Sequence, residues 1–349
     1  MNAVFENAKA LSLQLFADTT VLNTTESQGM SAEMKTYYEK RLIDQAEPKL
    51  IHDQFGDFYP IPQGGGKTIE FRKYDSLPKA TTPLTEGVTP DGQALNVSIV
   101  EATLTQYGGW VPESDVLNLT AVDSNIINAT KVLASQAGRT MDAITRDVLA
   151  GGTNVIYAPA VAADGTVTEV TSRSALTPAC RLTPDVFFRA AAQLGAMNAD
   201  TLGDSYVAII HPYAAYDLKT NKDFIEVNKY GNPDSIFNGE IGKLGNIRFV
   251  ETSEAKIWND STCPACASAA SGRYAVFGTI VLGAHAYGVT ELEGGGLEHI
   301  VKQLGYGDDP LNQRASVGWK GMKAAERLVE QYMVRIESLS SYSTTAAAN

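Results

Sequence analysis

Two strand-forming segments separated by twenty residues with little apolar pattern constrain this chain more than any other feature. From Lys67 to Tyr74 the residues alternate, with Ile69 and Phe71 on one side and Thr68, Glu70 and Arg72 on the other. That is the signature of a half-buried strand. A second strand is expected from Leu95 to Thr105. There Leu95, Val97 and Ile99 share one parity and Val100, Ala102 and Leu104 the other, so a bulge or a change of buried face is expected near Ile99. Between the strands lie residues 75–94, with Pro78, Pro83 and Pro90. A connection that long is uncommon inside a compact domain. The pair therefore reads as a long projecting hairpin, which cannot bury both faces against its own domain. A partner surface is the economical explanation, with Gly64, Gly65 and Gly66 as a flexible joint at the root.

The longest periodic segment follows. Asp123 or Ser124 is placed to cap a helix that Gly151 and Gly152 end. Ile126, Thr130, Leu133, Ala137, Met141, Ile144 and Val148 recur at spacings of three and four, giving one mostly apolar stripe. Lys131, Arg139, Asp142 and Arg146 fill the rest, the last two at the spacing of an i,i+4 ion pair. At 1.5 Å per residue such a helix is roughly 40 Å long.

Residues 1–30 carry no sustained period and read as an arm that folds against something else, or as a disordered tail. A helix is expected from Ser31, with Met34, Tyr38 and Leu42 in phase and Pro48 ending it. Residues 153–182 read as short strands and turns. Thr183 and Pro184 open a helix reaching about Asn198. Ser205–Ile210 reads as a strand closed by His211 and Pro212, with a short helix over Tyr213–Lys219. Further strands are expected at Ile247–Val250, Arg273–Leu282 and Gly288–Leu292. Near the end, Tyr332, Val334 and Ile336 alternate like a strand, whereas Met322–Gln331 fits a helix as well.

Forty acidic against 28 basic residues give a net charge of −12. That balance argues against a protein that grips nucleic acid over a broad surface, because phosphate contacts need clustered Lys and Arg. It leaves open a protein that merely surrounds nucleic acid. Cys180, Cys263 and Cys266 are too few for a disulfide scaffold and fit a reducing compartment. No apolar run reaches the roughly 18 residues of a membrane span, so no membrane partner is expected.

The search for chemistry finds little. Lys67 follows three glycines, but a phosphate loop needs a further glycine where Ile61 stands, and a helix rather than a strand after the Lys-Thr. Cys263 and Cys266 form half a zinc or redox motif, with no histidine at ligand spacing. The histidines are dispersed, and His211, closing an apolar strand, reads as a hydrogen-bonded core residue. Nothing pairs Asp57, Asp115, Asp123 and Asp142 at a chemical spacing. No catalytic residue, metal site or cofactor is expected.

Several segments, in order, resemble one family. They are Lys67-Thr68-Ile69-Glu70-Phe71-Arg72, Pro83-Leu84-Thr85-Glu86-Gly87-Val88-Thr89-Pro90 and Gln106-Tyr107-Gly108-Gly109, then Asp309-Pro310-Leu311-Asn312-Gln313-Arg314 and Val317-Gly318-Trp319-Lys320. Leu13-Gln14-Leu15-Phe16-Ala17 resembles the opening of many tailed-phage structural proteins. Together they look like the major capsid proteins typified by phage N-four, a branch of the tailed-phage capsid fold (Hong Kong 97-like), over roughly residues 30–340.

The resemblance implies an α+β fold with an N-terminal arm (1–30), the start of a peripheral domain (31–61) and an E-loop hairpin (62–106). It implies a peripheral domain over 107–182 with a spine helix at 123–150, an axial domain over 183–292, and a return to the peripheral domain and tail over 293–349. The implied function is an icosahedral shell around the double-stranded DNA of a tailed phage. An encapsulin-like protein compartment is the alternative within the fold, and a nucleotide-using enzyme at the Lys67 loop lies outside it. Implied partners are further copies in pentamers and hexamers, a separate scaffolding protein, a portal protein at one vertex, and enclosed DNA bound without sequence preference; decoration proteins are left open. The chain would be made in the host bacterial cytoplasm and end in the virion. Candidate inter-subunit contacts are Phe71, Arg72, Leu84, Glu86, Val88, Tyr107, Arg314 and Trp319, and Trp110 and Trp319 are candidate buried anchors.

Overall fold

The computed structural model describes residues 51–74, 77–84, 86–89, 91–116, 125–162, 164–221, 224, 242–267, 269, 271–307 and 309–349. The arm, the helix expected from Ser31 and the caps at Asp123 and Ser124 lie outside these residues. In chain order the elements are β1 (Asp57–Phe58), β2 (Thr68–Tyr74), β3 (Val97–Thr103), β4 (Thr105–Ser114), α1 (Asn125–Ala150), β5 (Val155–Tyr157), β6 (Ala160–Val161) and β7 (Val167–Thr168). There follow α2 (Pro184–Ala196), β8 (Tyr206–Ile210), α3 (Pro212–Thr220), β9 (Lys243–Leu244), β10 (Ile247–Glu251) and β11 (Ile257–Trp258). The last are β12 (Val276–Leu282), β13 (Tyr287–Glu291), β14 (Glu298–Lys302), β15 (Arg314–Arg327) and β16 (Met333–Ser338). Two compact units result. The smaller takes its described residues from 108–134 and 298–320, the larger from 51–107, 135–297 and 321–349.

The larger unit is organised by a mixed sheet in the order β5-β16-β12-β8-β10-β9, with β11 beside β12. Every residue of β8, β12 and β16 is buried, as expected for central strands covered on both faces. Helices α2 and α3 cover one face. Val186, Phe187, Leu194 and Leu218 pack there with Ala208, Ile210, Phe277, Val281, Val334 and Ile336. On the other face Ile209, Ile280, Leu282 and Met333 meet Leu149 of α1 and Tyr287 and Val289 of β13. Pro184 opens α2, and Pro212 opens α3. His211 caps α3, its Nδ1 accepting the Tyr213 N–H at 3.1 Å, and burial holds its imidazole below the usual pKa.

Three expectations need correction. Met322–Gln331 is not an α-helix: β15 runs through Arg327, Lys323–Arg327 pairs with β13, and a single 3-10 turn follows at Glu330–Tyr332. No bulge occurs at Ile99, because β2 and β3 stay in unbroken register from Thr68 opposite Thr103 to Tyr74 opposite Val97. Asp142 and Arg146 do not sit on the solvent face of α1 and do not pair with each other. Both are buried, in a helix whose small residues Ala134, Ala137 and Gly138 also face inward. The Asp142 carboxylate instead accepts the Ile51 and His52 N–H groups at 2.8 Å each, and faces His52 Nδ1 at 2.7 Å. Beside it, buried Lys323 is ion-paired with Asp53 and donates to the Met141 carbonyl at 2.9 Å.

In the smaller unit, β14 pairs with the first half of β15, setting Glu298 opposite Lys320, Ile300 opposite Gly318 and Lys302 opposite Ser316. Strand β4 also pairs with β15. The glycines make that approach possible. A Cβ on Gly108 would lie 2.7 Å from the Trp319 carbonyl oxygen, and one on Gly318 would lie 2.9 Å from the Trp110 Cβ.

Candidate inter-subunit surfaces

The hairpin of β2 and β3 presents two unlike faces. On the inner face Ile69 and Phe71 pack against Ile61, Ala102, Leu104, Leu292 and Ala324. Phe71 also meets the Tyr59 ring edge-on at 5.0 Å, and the Leu104 N–H donates to the Lys67 carbonyl at 2.9 Å. On the outer face the register sets Glu70 opposite Glu101, Arg72 opposite Ile99 and Tyr74 opposite Val97. Tyr74, Val97 and Ile99 are 63%, 47% and 55% exposed. Between the strands the described tip residues have no helix or strand, and Leu84, Glu86 and Val88 are all exposed.

The candidate contacts thus divide. Arg72, Leu84, Glu86 and Val88 lie on the open side or the tip, whereas Phe71 helps fasten the hairpin root. Tyr107 is half-buried at the start of β4, and Arg314 is exposed at the start of β15. Trp319 must be corrected: at 4% exposure it is buried within its own chain, on the face of β15 shared with Ala315 and Val317. Its companion Trp110 is the exposed one, at 58%. Sequence reading missed Tyr74, Val97 and Ile99 as surface, although the parity change at Ile99 was the signal.

The outer face of the smaller sheet is also open. Glu298, Ile300 and Lys302 share it with Arg314, Ser316, Gly318 and Lys320, and Trp110 lies beside Gly318. Lys320 is ion-paired with Glu298 at 2.9 Å. The loop joining β14 to β15 is tightly built. The Asp309 carboxylate accepts the Arg314 N–H at 2.7 Å, and Gly305, Gly307 and Asn312 take left-handed conformations. It holds Leu304, Tyr306 and Leu311 exposed, with Lys302 4.9 Å over the Tyr306 ring. Three residues after Trp110, Glu113 of β4 is buried with one carboxylate oxygen unpartnered, and burial pushes its pKa up to about 7.

The two motifs that suggested chemistry take other forms among the described residues. Gly64 and Gly66 are left-handed and Thr68 already begins β2, so the Lys67 segment is a turn into a strand rather than a cradle before a helix. Cys263 and Cys266 are buried free thiols, and burial raises the Cys263 pKa. Among the described residues no cluster of His, Cys, Asp or Glu could hold a metal ion, and no helix is long and apolar enough to cross a membrane.

A family model described as phage capsid protein matches residues 79–304, well over half of the chain. The chain belongs to that family. It is a major capsid protein, a virion component whose copies self-assemble into the shell. No curated protein sequence matches the capsid protein. Among solved structures it is similar to the capsid of Ralstonia phage GP4, with a TM-score of 0.57, 15% identity, and 79% and 84% of the two chains covered. It is also similar to the capsid of Cyanophage P-SCSP1u, with a TM-score of 0.56, 17% identity and coverage of 82% and 87%. The capsid of Helicobacter pylori bacteriophage KHP30 gives 0.55, 12%, and 81% and 87%. These likenesses show the tailed-phage capsid fold, and favour neither the protein-cargo compartment nor the nucleotide enzyme.

Proposed function

We propose that the capsid protein closes its shell by laying the hairpin of residues 62–106 on a neighbouring copy. The observation that carries this reading is the hairpin's outer face, where Tyr74, Val97 and Ile99 are exposed together. Two exposed strands are marginal alone, and aliphatic side chains left in water are worth about 25 cal/mol per Å² once covered. Arg72, Leu84, Glu86 and Val88 make contacts on the neighbour, and Tyr107 and Arg314 lie at receiving surfaces. Many such modest contacts per subunit add up through multivalency.

In the same reading residues 1–30 form an arm, 123–150 the spine helix, 183–292 the axial domain and 293–349 the return to the peripheral domain. The subunits form pentamers and hexamers around double-stranded DNA, with a separate scaffolding protein and a portal at one vertex, and are made in the host cytoplasm. The role is structural and not enzymatic. An excess of carboxylates suits a wall that holds DNA without gripping it. Deleting residues 76–92 tests the clasp. The expected product is a soluble subunit that forms no closed shells by electron microscopy, and closed shells from the deleted chain would overturn the reading.

A further inference from the structure

The hairpin needs a receiving surface, and the molecule carries one of opposite character. On the outer hairpin face Glu70 and Glu101 stand directly across from each other, and like charges so placed are destabilising. Neither is in an ion pair among the described residues. Arg72 is the one cation among them, and the remainder of the face is Tyr74, Val97 and Ile99.

The outer face of the smaller sheet has the reverse pattern. Lys302, Arg314 and Lys320 share it with Glu298, which Lys320 engages, and the Asp309 carboxylate of the adjoining loop lies against Arg314, so cations exceed carboxylates there by one. The side chain of Trp110 lies 58% exposed beside the strip where Gly318 contributes none, with half-buried Ile300 opposite Gly318 in register. Three cations around an aromatic and an aliphatic group form a basic, partly apolar face on a chain of net charge −12.

We infer that the outer face of the hairpin docks on the Trp110–Ile300–Gly318 sheet face of a second copy, with Glu70 and Glu101 between Lys302 and Arg314 and with Ile99 and Val97 against Trp110. The occupant follows from complementarity: an acidic, aliphatic strip meets a basic, aromatic one of like construction. Charge matching sets register and partner choice, and the exposed tryptophan is the type of residue that anchors interfaces. This rests on the hairpin clasp proposed above and names its receptor.

Charge reversal and cross-linking test it together in the full-length chain. Glu70→Lys with Glu101→Lys keeps two like charges opposed within the hairpin, so it changes the partner's view more than the fold. That variant, and separately Lys302→Glu with Arg314→Glu, are expected to lower the yield of shells at least tenfold, and the fourfold variant to restore it. In parallel, chains carrying Ile99→Cys are mixed with chains carrying Ser316→Cys and assembled under mild oxidation. A disulfide between those positions can form only between copies, and the native thiols are buried. A cross-linked dimer on a non-reducing gel supports the docking. Shells that form without this cross-link overturn it. If the reversals leave shell yield unchanged while deleting 76–92 abolishes shells, the clasp stands and the receptor lies elsewhere. If Lys302→Glu with Arg314→Glu forms normal shells that lose packaged DNA, the basic face serves nucleic acid and the docking is wrong. If shells form without residues 76–92, the clasp itself fails.

Discussion

Arg173 grips Glu337 with two guanidinium nitrogens, Nε at 2.6 Å and Nη2 at 2.7 Å. Glu337 is fully buried and also accepts from Arg335 Nε at 2.9 Å. Arg335 in turn donates to the carbonyls of Ala150 and Gly152 at the end of α1, where a cation suits the free carbonyls and the helix dipole. Both guanidiniums lie over the Trp258 ring. One carboxylate therefore neutralises two cations that fasten the long helix to the central sheet.

Removing that carboxylate leaves buried Arg335 and half-buried Arg173 without their shared counter-charge. Glu337→Ala is expected to lower the stability of the unassembled subunit by about 3–5 kcal/mol. Arg189→Ala breaks only the exposed pairs to Glu169 and Asp185 and is expected to change it by less than about 1 kcal/mol. Urea unfolding of both variants checks this, and equal losses would show that the Glu337 cluster is no more than a surface pair.

Glu113 gives a pH dependence of defined sign. Its carboxyl titrates near 4.5 when unfolded and is pushed up to about 7 by burial in the fold. The unfolded chain therefore releases this proton first. The native state suffers no penalty below about pH 4.5, loses stability as pH rises from there to 7, and carries the full penalty above, roughly 2–3 kcal/mol. Glu113→Gln is expected to match the natural chain at pH 4 and to exceed it in stability at pH 8. Unfolding midpoints at the two pH values decide the matter; a difference independent of pH would refute the assignment.

Two glycines should respond oppositely to alanine. At Gly108 the new Cβ would meet the Trp319 carbonyl oxygen, a backbone atom with no freedom to turn aside, so β4 must shift from β15 at a loss of about 1–3 kcal/mol. At Gly195, exposed in α2, the Cβ would find open space, and helix propensity favours alanine by up to about 1 kcal/mol. Thermal melts are expected to move down for the first variant and up for the second.

The parts legible in sequence were those governed by local period. Alternation over Lys67–Tyr74 gave β2, Pro184 gave the start of α2, and continuous apolar runs gave β8 and β12. Met322–Gln331 was ambiguous because Lys323 and Arg327 sit one helical turn apart and Ala324 and Ala325 favour helix. Pairing with β13 decided otherwise, and that is a long-range fact. Asp142 and Arg146 were misplaced for a related reason. A charged residue in a helix reads as solvated unless its partner is known, and His52 lies 90 residues away. Of the docking surfaces, the hairpin was legible from its length and parity. The basic sheet face was not, because it forms only when β4, β14 and β15 come together.

The buried cluster of His52, Asp53, Asp142 and Lys323 draws on segments 90 and 270 residues apart in the chain. The Asp53–Lys323 ion pair and the Asp142–His52 hydrogen bonds form only when all of these segments meet. A chimera that takes residues 51–53 from one ancestor and the Lys323 strand from a diverged one would inherit Lys323 without its Asp53 carboxylate, or the reverse. The gene is therefore expected to pass between lineages whole, and to resist being shuffled from within.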